Sequence, residues 1–425
     1  MPLRALSETT ATALECAFRA TPTLRAPPGI PPRMSAQTLL SLPLLALALG
    51  GFVVGSSEYI IMGLLPEVAR DLGVSLADAG LLVSAYAMGV VVGAPLLGPL
   101  LGRLPRKQAL MWLMGAYTLG NLGCALAPDY AWLVAARLFT AVSHAGFFGC
   151  ATLLAAELAP PQRRASAMAL VLSGLTIANV LGVPLGAWFG QASSWRMTFF
   201  AVAGFGVCTL LAQLLWLPRG QGVPSHGGGA WSGVLRRPVL HALGVCCLSS
   251  VALFSVFTYI SPLLRDSGGF SANLSNTGLL VFGVGLTLGN LLGGRLADRG
   301  IRHAVPLAMG CSALALLGLF ACIDTPPVAM ALLLCWGMAS FAISSPLQLL
   351  LVEQAGDSAG LAATLSHAAF NLGNASGAWF GGLWLGAQFG LAQLPLLGVA
   401  LLLATIAAAW PLPRLRPARE RLGLH

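Results

Sequence analysis

The chain has 425 residues, of which 57% are hydrophobic and 9% charged, with a formal net charge of +9. Soluble domains carry about 25% charged residues, so a soluble enzyme, a nucleic-acid binder and a disordered protein are all excluded. The apolar excess assigns the chain to a lipid bilayer, where hydrophobic side chains can face outward.

Residues 1–38 are rich in Pro, Thr and Arg and have no long apolar core, so they do not read as a secretory signal. They are expected to be a disordered extension, or to precede a true start at Met34. Twelve stretches then have the length and apolarity of a spanning helix. Spans one to six run Leu39–Leu65, Ala79–Leu101, Ala109–Ala127, Ala131–Leu153, Ala165–Gly190 and Met197–Leu217. Spans seven to twelve run Leu240–Leu264, Gly278–Leu296, Val305–Ile323, Val328–Leu351, Leu361–Leu385 and Leu394–Leu412. The expected organisation is therefore an N-terminal bundle (39–218), a Gly- and Arg-containing linker (219–239), a C-terminal bundle (240–413) and a basic tail (414–425).

With both termini in the cytoplasm, 19 of the 23 basic residues fall on the inner side and three, Arg70, Arg196 and Arg265, on the outer side. This asymmetry predicts that orientation. It makes the positive charge a property of topology and of attraction to anionic lipid, not a sign of a nucleic-acid partner. Lys107 is the only lysine, so no Walker-type phosphate loop exists. The nine cysteines lie almost entirely in apolar stretches and read as small core residues. No metal-ligand cluster, cofactor fingerprint or catalytic motif is expected.

The two halves echo each other. Gly182-x-x-x-Gly186-Ala-Trp-Phe-Gly190 in span five returns as Gly373-x-x-x-Gly377-Ala-Trp-Phe-Gly381 in span eleven, 191 residues later. The basic turn from Gly98 to Lys107 returns from Gly294 to His303, and Glu58-Tyr59-Ile60 returns as Thr258-Tyr259-Ile260. Three echoes in one order predict duplication of a six-span unit, a plan used by secondary transporters.

These residues resemble the major facilitator superfamily, and within it the twelve-span drug:proton antiporters grouped with arabinose-efflux and chloramphenicol-resistance permeases. The resemblance rests on Ser57-Glu58-Tyr59-Ile60-Ile61-Met62-Gly63-Leu64-Leu65-Pro66 with Ala69-Arg70-Asp71-Leu72-Gly73, and on the turn from Gly98 to Lys107. It also rests on Arg137 with Gly146, on Asn179-Val-Leu-Gly182-Val-Pro184-Leu-Gly186, on Ser194-Trp195-Arg196 with Phe199, and on Phe370-Asn371-Leu-Gly373-Asn374. Gly102 and Pro105 depart from the usual Asp and Gly of the turn motif. The resemblance implies an all-α membrane protein with two six-helix bundles related by a pseudo-two-fold axis. It further implies a monomer in a bacterial inner membrane that exports a small molecule in exchange for protons.

Among the acidic residues, Glu58 alone lies well inside a predicted span, and an intramembrane acid is a candidate proton carrier. The structural alternative is that it meets water or pairs with Arg70 or Arg196. Arg137, the one basic residue deep in a span, either tunes Glu58 or clamps helices together. His144 and His367 can titrate near neutral pH or sit as neutral, hydrogen-bonded core residues. Asn179 and Asn371 are cavity candidates, with Asn290 expected to join helices. Tyr59, Tyr86 and Phe370 are candidates for an aromatic wall or for core packing. Arg103, Arg106, Lys107, Asp298 and Arg299 are expected to form inner-face gate contacts, and Pro184 to bend span five.

The leading reading is a proton-coupled exporter working by alternating access, with a drug, a sugar or a nucleoside equally open as cargo. The alternatives are the membrane subunit of an ATP-driven pump, a membrane enzyme and a non-transporting sensor.

Overall fold

The computed structural model describes residues 41–101, 104–160, 163–218, 231–299 and 301–410. The N-terminal extension, Arg103, most of the linker and the basic tail lie outside the described residues. No strand occurs among the described residues.

Span one is the 22-residue helix Leu42–Gly63, about 33 Å long at 1.5 Å per residue and so long enough to cross a hydrocarbon core. A short helix, Leu65–Leu72, follows it. The remaining spans of the first half are Leu76–Leu101, Arg106–Ala125, Tyr130–Leu158, Arg164–Ala192 and Trp195–Trp216. Those of the second half are Arg237–Phe257, Ala272–Arg299, Ile301–Cys322, Pro326–Ala355, Ala359–Gly386 and Leu394–Ala409. Ten of these helices, among the described residues, are both long and apolar enough to cross a membrane. Spans three and eleven fall outside that set: the first opens on Arg106, Lys107 and Gln108, and the second carries His367, Asn371 and Asn374.

Local sequence starts these helices. Asp129 accepts a hydrogen bond from the backbone N–H of Trp132 at 2.8 Å and caps span four, and Ser194 caps span six through Arg196 N–H. Spans one, seven, ten and twelve begin with proline in the first turn, where a missing N–H costs nothing. The linker ends in a short helix, Trp231–Val234, and Gly233 packs there against Ser358.

Neighbour relations repeat between the halves. Span one packs on five and six, two on four, and three on four and six; span seven packs on eleven and twelve, eight on ten, and nine on ten and twelve. The halves meet where span two packs on eleven and span five on eight, which is the same pairing seen from each side of a pseudo-two-fold axis. The glycine motifs carry close contacts in both halves. Gly182, Gly186 and Gly190 press on Ser56, Ile60 and Leu64 of span one, and Gly373, Gly377 and Gly381 press on Ser250, Phe254 and Tyr259 in the span-seven segment. A side chain at any of these six would collide with its neighbour, so the motif repeats because the packing repeats.

Span five changes its ladder locally next to Pro184. The helix widens into a π-turn over Ala178–Gly182, directly before it, and Val183 N–H reaches back to the carbonyl of Ala178. Proline has no N–H for the ordinary ladder, and the wider turn takes up the missing bond. Asn179 stands in that turn.

Candidate functional site

The polar centre of the first half is assembled by spans one to four. Glu58 is only 6% exposed and Arg137 is fully buried. The guanidinium of Arg137 donates to the carbonyl of Ser57 at 2.7 Å and to that of Glu58 at 3.3 Å. Its carbon lies 4.2 Å above the centre of the Tyr86 ring, within cation–π range. Arg137 forms no ion pair with the Glu58 carboxylate among the described residues; it holds the backbone of span one.

Besides the Tyr59 hydroxyl, the carboxylate has the imidazole of His144 as a neighbour, whose Nδ1 is 3.9 Å from Oε2. The same nitrogen is 3.0 Å from the hydroxyl of Tyr86. Beneath them, Ser57 donates to Asn121 at 2.5 Å, Asn121 donates to the carbonyl of Tyr117, and Tyr117 donates to that of Val54 at 2.9 Å. Sequence reasoning gave no site role to Ser57, Asn121 or Tyr117. The available signal was a lone asparagine in an otherwise apolar stretch of span three.

The hydroxyl of Tyr59 lies beside the Glu58 carboxyl, and its ring reaches the seam between the halves. With Asn179, Leu253, Phe254, Phe257, Phe282, Leu286 and Phe341 it lines a small central cavity of about 10 Å³ between the two halves. Rings follow one another from there: Tyr59 to Phe254 at 6.3 Å, Phe254 to Phe257 at 5.7 Å, Phe257 to Phe282 at 4.7 Å and Phe282 to Trp336 at 4.6 Å. A second crevice between spans one, five and six, walled by Phe52, Leu185, Trp188 and Phe205, holds none of the titratable groups. Tyr59, Tyr86 and Phe370 do not form one wall. Tyr59 faces the central cavity, Tyr86 lies under Arg137, and Phe370 packs on the core.

On span eleven, His367 is exposed and lies close enough to act electrostatically on His144. Asn371 donates to the carbonyl of His367 at 3.0 Å, while its Oδ1 is buried without a partner. Asn374 accepts from Ser250 and joins spans eleven and seven. Asn290 accepts from Ser345 at 3.4 Å. Arg106 pairs with Glu157 at 2.7 Å, and Lys107 donates to the carbonyls of Leu214 and Leu217; these contacts tie spans three, four and six within one half. Asp298 and Arg299 belong to the last turn of span eight, with side chains outside the described residues.

At the opposite end the halves are joined. Arg265 pairs with Glu67, Asn276 donates to Gln191 at 2.8 Å, and Ser261 donates to the carbonyl of Gly63 at 3.4 Å. Tyr259 presses on Gly80 so closely that a Cβ there would stand 1.9 Å from the hydroxyl. Arg196 pairs with Asp71 rather than Glu58. Trp195 also donates to Asp71, at 3.0 Å. The Arg196 hydrogen bond holds the Asp71 carboxyl below its ordinary value of 3.8.

Two repeated halves that meet at a central seam and are joined at one end match the plan of a carrier built from repeats. Residues 47–378 match the family model described as Major Facilitator Superfamily. The chain is 40% identical over 375 residues to the inner membrane transport protein YdhP of Escherichia coli strain K12, covering 87% of this chain and 96% of that protein. It is 35% identical over 351 residues to a chloramphenicol resistance protein of Streptomyces lividans, covering 80% of this chain and 88% of that one. The fold matches the crystal structure of a D-xylose-proton symporter with a TM-score of 0.70 at 19% identity, covering 87% and 97% of the two chains. The chain belongs to the major facilitator superfamily of membrane transporters.

Proposed function

We propose that this transporter exports a small organic solute in exchange for protons, with Glu58 as the group that loads and releases the proton. The observation that carries the reading is a carboxyl 6% exposed inside span one, without an arginine on its oxygens. An ionised carboxylate at such a place is costly, so binding and losing a proton there is a large local event that can drive a conformational change. The basic residues favour the Arg106 end as cytoplasmic, with both termini inside a bacterial inner membrane. The Glu67–Arg265 end is then the closed outer gate of a monomer, and solute reaches the central cavity from within the cell.

The test uses everted membrane vesicles holding a proton gradient and a panel starting with chloramphenicol, D-xylose, arabinose and uridine. One compound is expected to trigger proton release, and Glu58→Gln at matched membrane levels is expected to abolish it. Release that persists in Glu58→Gln removes that residue as the coupling acid. Compound-driven proton movement in the opposite direction makes the protein an importer.

A further inference from the structure

One nitrogen of His144 stands between two partners. Its Nδ1 is 3.0 Å from the Tyr86 hydroxyl and 3.9 Å from Oε2 of Glu58, and all three side chains are buried. A neutral imidazole carries one N–H, so Nδ1 either accepts from Tyr86 or offers a proton to a neighbour, but not both. While Tyr86 donates to Nδ1, the imidazole has nothing to give the carboxyl, which suits a protonated and neutral Glu58. Once Glu58 ionises, a proton on Nδ1 faces the carboxylate and the buried pair is neutral in sum, which lowers the cost of the charge. Arg137 cannot take this part. It does not usefully deprotonate, two of its nitrogens are engaged by the carbonyls of Ser57 and Glu58, and its plane covers Tyr86.

We propose that His144 is the proton partner of Glu58, taking the carboxyl proton on Nδ1 while Tyr86 gives up that nitrogen. The O–H bond of Glu58 breaks, the Nδ1–H bond forms, and the imidazolium then loses its Nε2 proton to water admitted in the open state. Reloading runs the same steps in reverse. The assignment rests on the reading of Glu58 as the coupling acid. The titratable groups that act on this pair are Tyr59 of span one, Tyr86 of span two, Tyr117 of span three, Arg137 of span four and His367 of span eleven. Span five also packs on span four, but it has no titratable side chain between Ser166 and Ala192. His367 is the one contributed by the other half, so the charge on His144 is also exposed to how the halves sit.

The experiment is an infrared pH titration of the full chain in nanodiscs, following the carbonyl stretch of protonated carboxyl groups, with no solute required. Glu58→Gln assigns the Glu58 band by its loss. His144→Gln keeps a hydrogen-bonding group beside Tyr86 but cannot hold the proton. It is expected to make the Glu58 carboxyl harder to ionise, by about tenfold in proton affinity, equivalent to about one pH unit. Tyr86→Phe frees Nδ1 and is expected to move the midpoint the other way. A folded His144→Gln whose midpoint stays with the wild type overturns the proposal. If His144→Gln fails to fold, Tyr86→Phe decides, and an unmoved midpoint there overturns it equally. If no titrating band disappears in Glu58→Gln, the coupling-acid reading itself fails, and the partner assignment with it.

Discussion

Arg137 of span four donates to the backbone carbonyl of Ser57 in span one at 2.7 Å, across 80 positions of sequence. That bond, with a second to the carbonyl of Glu58, fixes where the Glu58 backbone sits while leaving its carboxylate to Tyr59 and His144. The arginine is therefore a positioning residue: it sets the place of the acid.

This role predicts the effect of a conservative change. Arg137→Lys keeps the charge but offers a compact ammonium that cannot hold two carbonyls and cover the Tyr86 ring together. A loss of about 1–2 kcal/mol in stability is expected, read as a lower midpoint of unfolding in detergent. A lysine variant as stable as the wild type would mean that Arg137 acts only as a distant charge.

The Glu67–Arg265 pair joins the two halves with both side chains largely covered. Breaking it with Glu67→Gln should shift the population toward an open outer end, by an amount corresponding to about 1 kcal/mol or less. The swap of Glu67→Arg with Arg265→Glu should restore the original distribution. Spin-label distances across that end provide the measurement, analysed as a double-mutant cycle. Equal distributions in the wild type, the Glu67→Arg and Arg265→Glu single variants and the double swap would show that the pair does not bias the gate.

Asp71 gives a pH dependence with a definite sign. Its folded-state value is depressed, first by the Arg196 hydrogen bond, so the pair stabilises the fold above the ordinary carboxylate range. That contribution is lost as pH falls through the folded value. The melting temperature of the wild type should exceed that of Arg196→Gln at pH 7, with the gap closing below about pH 4. A gap unchanged in stronger acid would assign the role of Arg196 to its bond with the Ala127 carbonyl and its stacking on Trp195.

The fold was largely legible because a bilayer imposes a simple rule. Backbone polar groups must be satisfied within each segment, so long apolar runs become helices. The duplicated glycine motif was legible for a related reason. Gly182 leaves room for the Ser56 side chain and Gly373 for the backbone carbonyl of Cys247, and that need leaves a mark on residue type at fixed spacing. The π-turn before Pro184 was only half legible: proline announces a disturbed ladder, but not the form that the disturbance takes.

The site divides along the same line. Sequence by itself determined that Glu58 is a deep acid, that Arg137 is a deep base, and that both require partners. Tertiary structure alone decided who those partners are. Arg137 turned to the backbone of Ser57 and the ring of Tyr86, and the carboxylate of Glu58 was left to Tyr59 and His144. Asn121, unremarkable in its own stretch, became the acceptor for Ser57. Partner choice between helices depends on ångström-scale distances set by packing, and one-dimensional spacing carries no record of them.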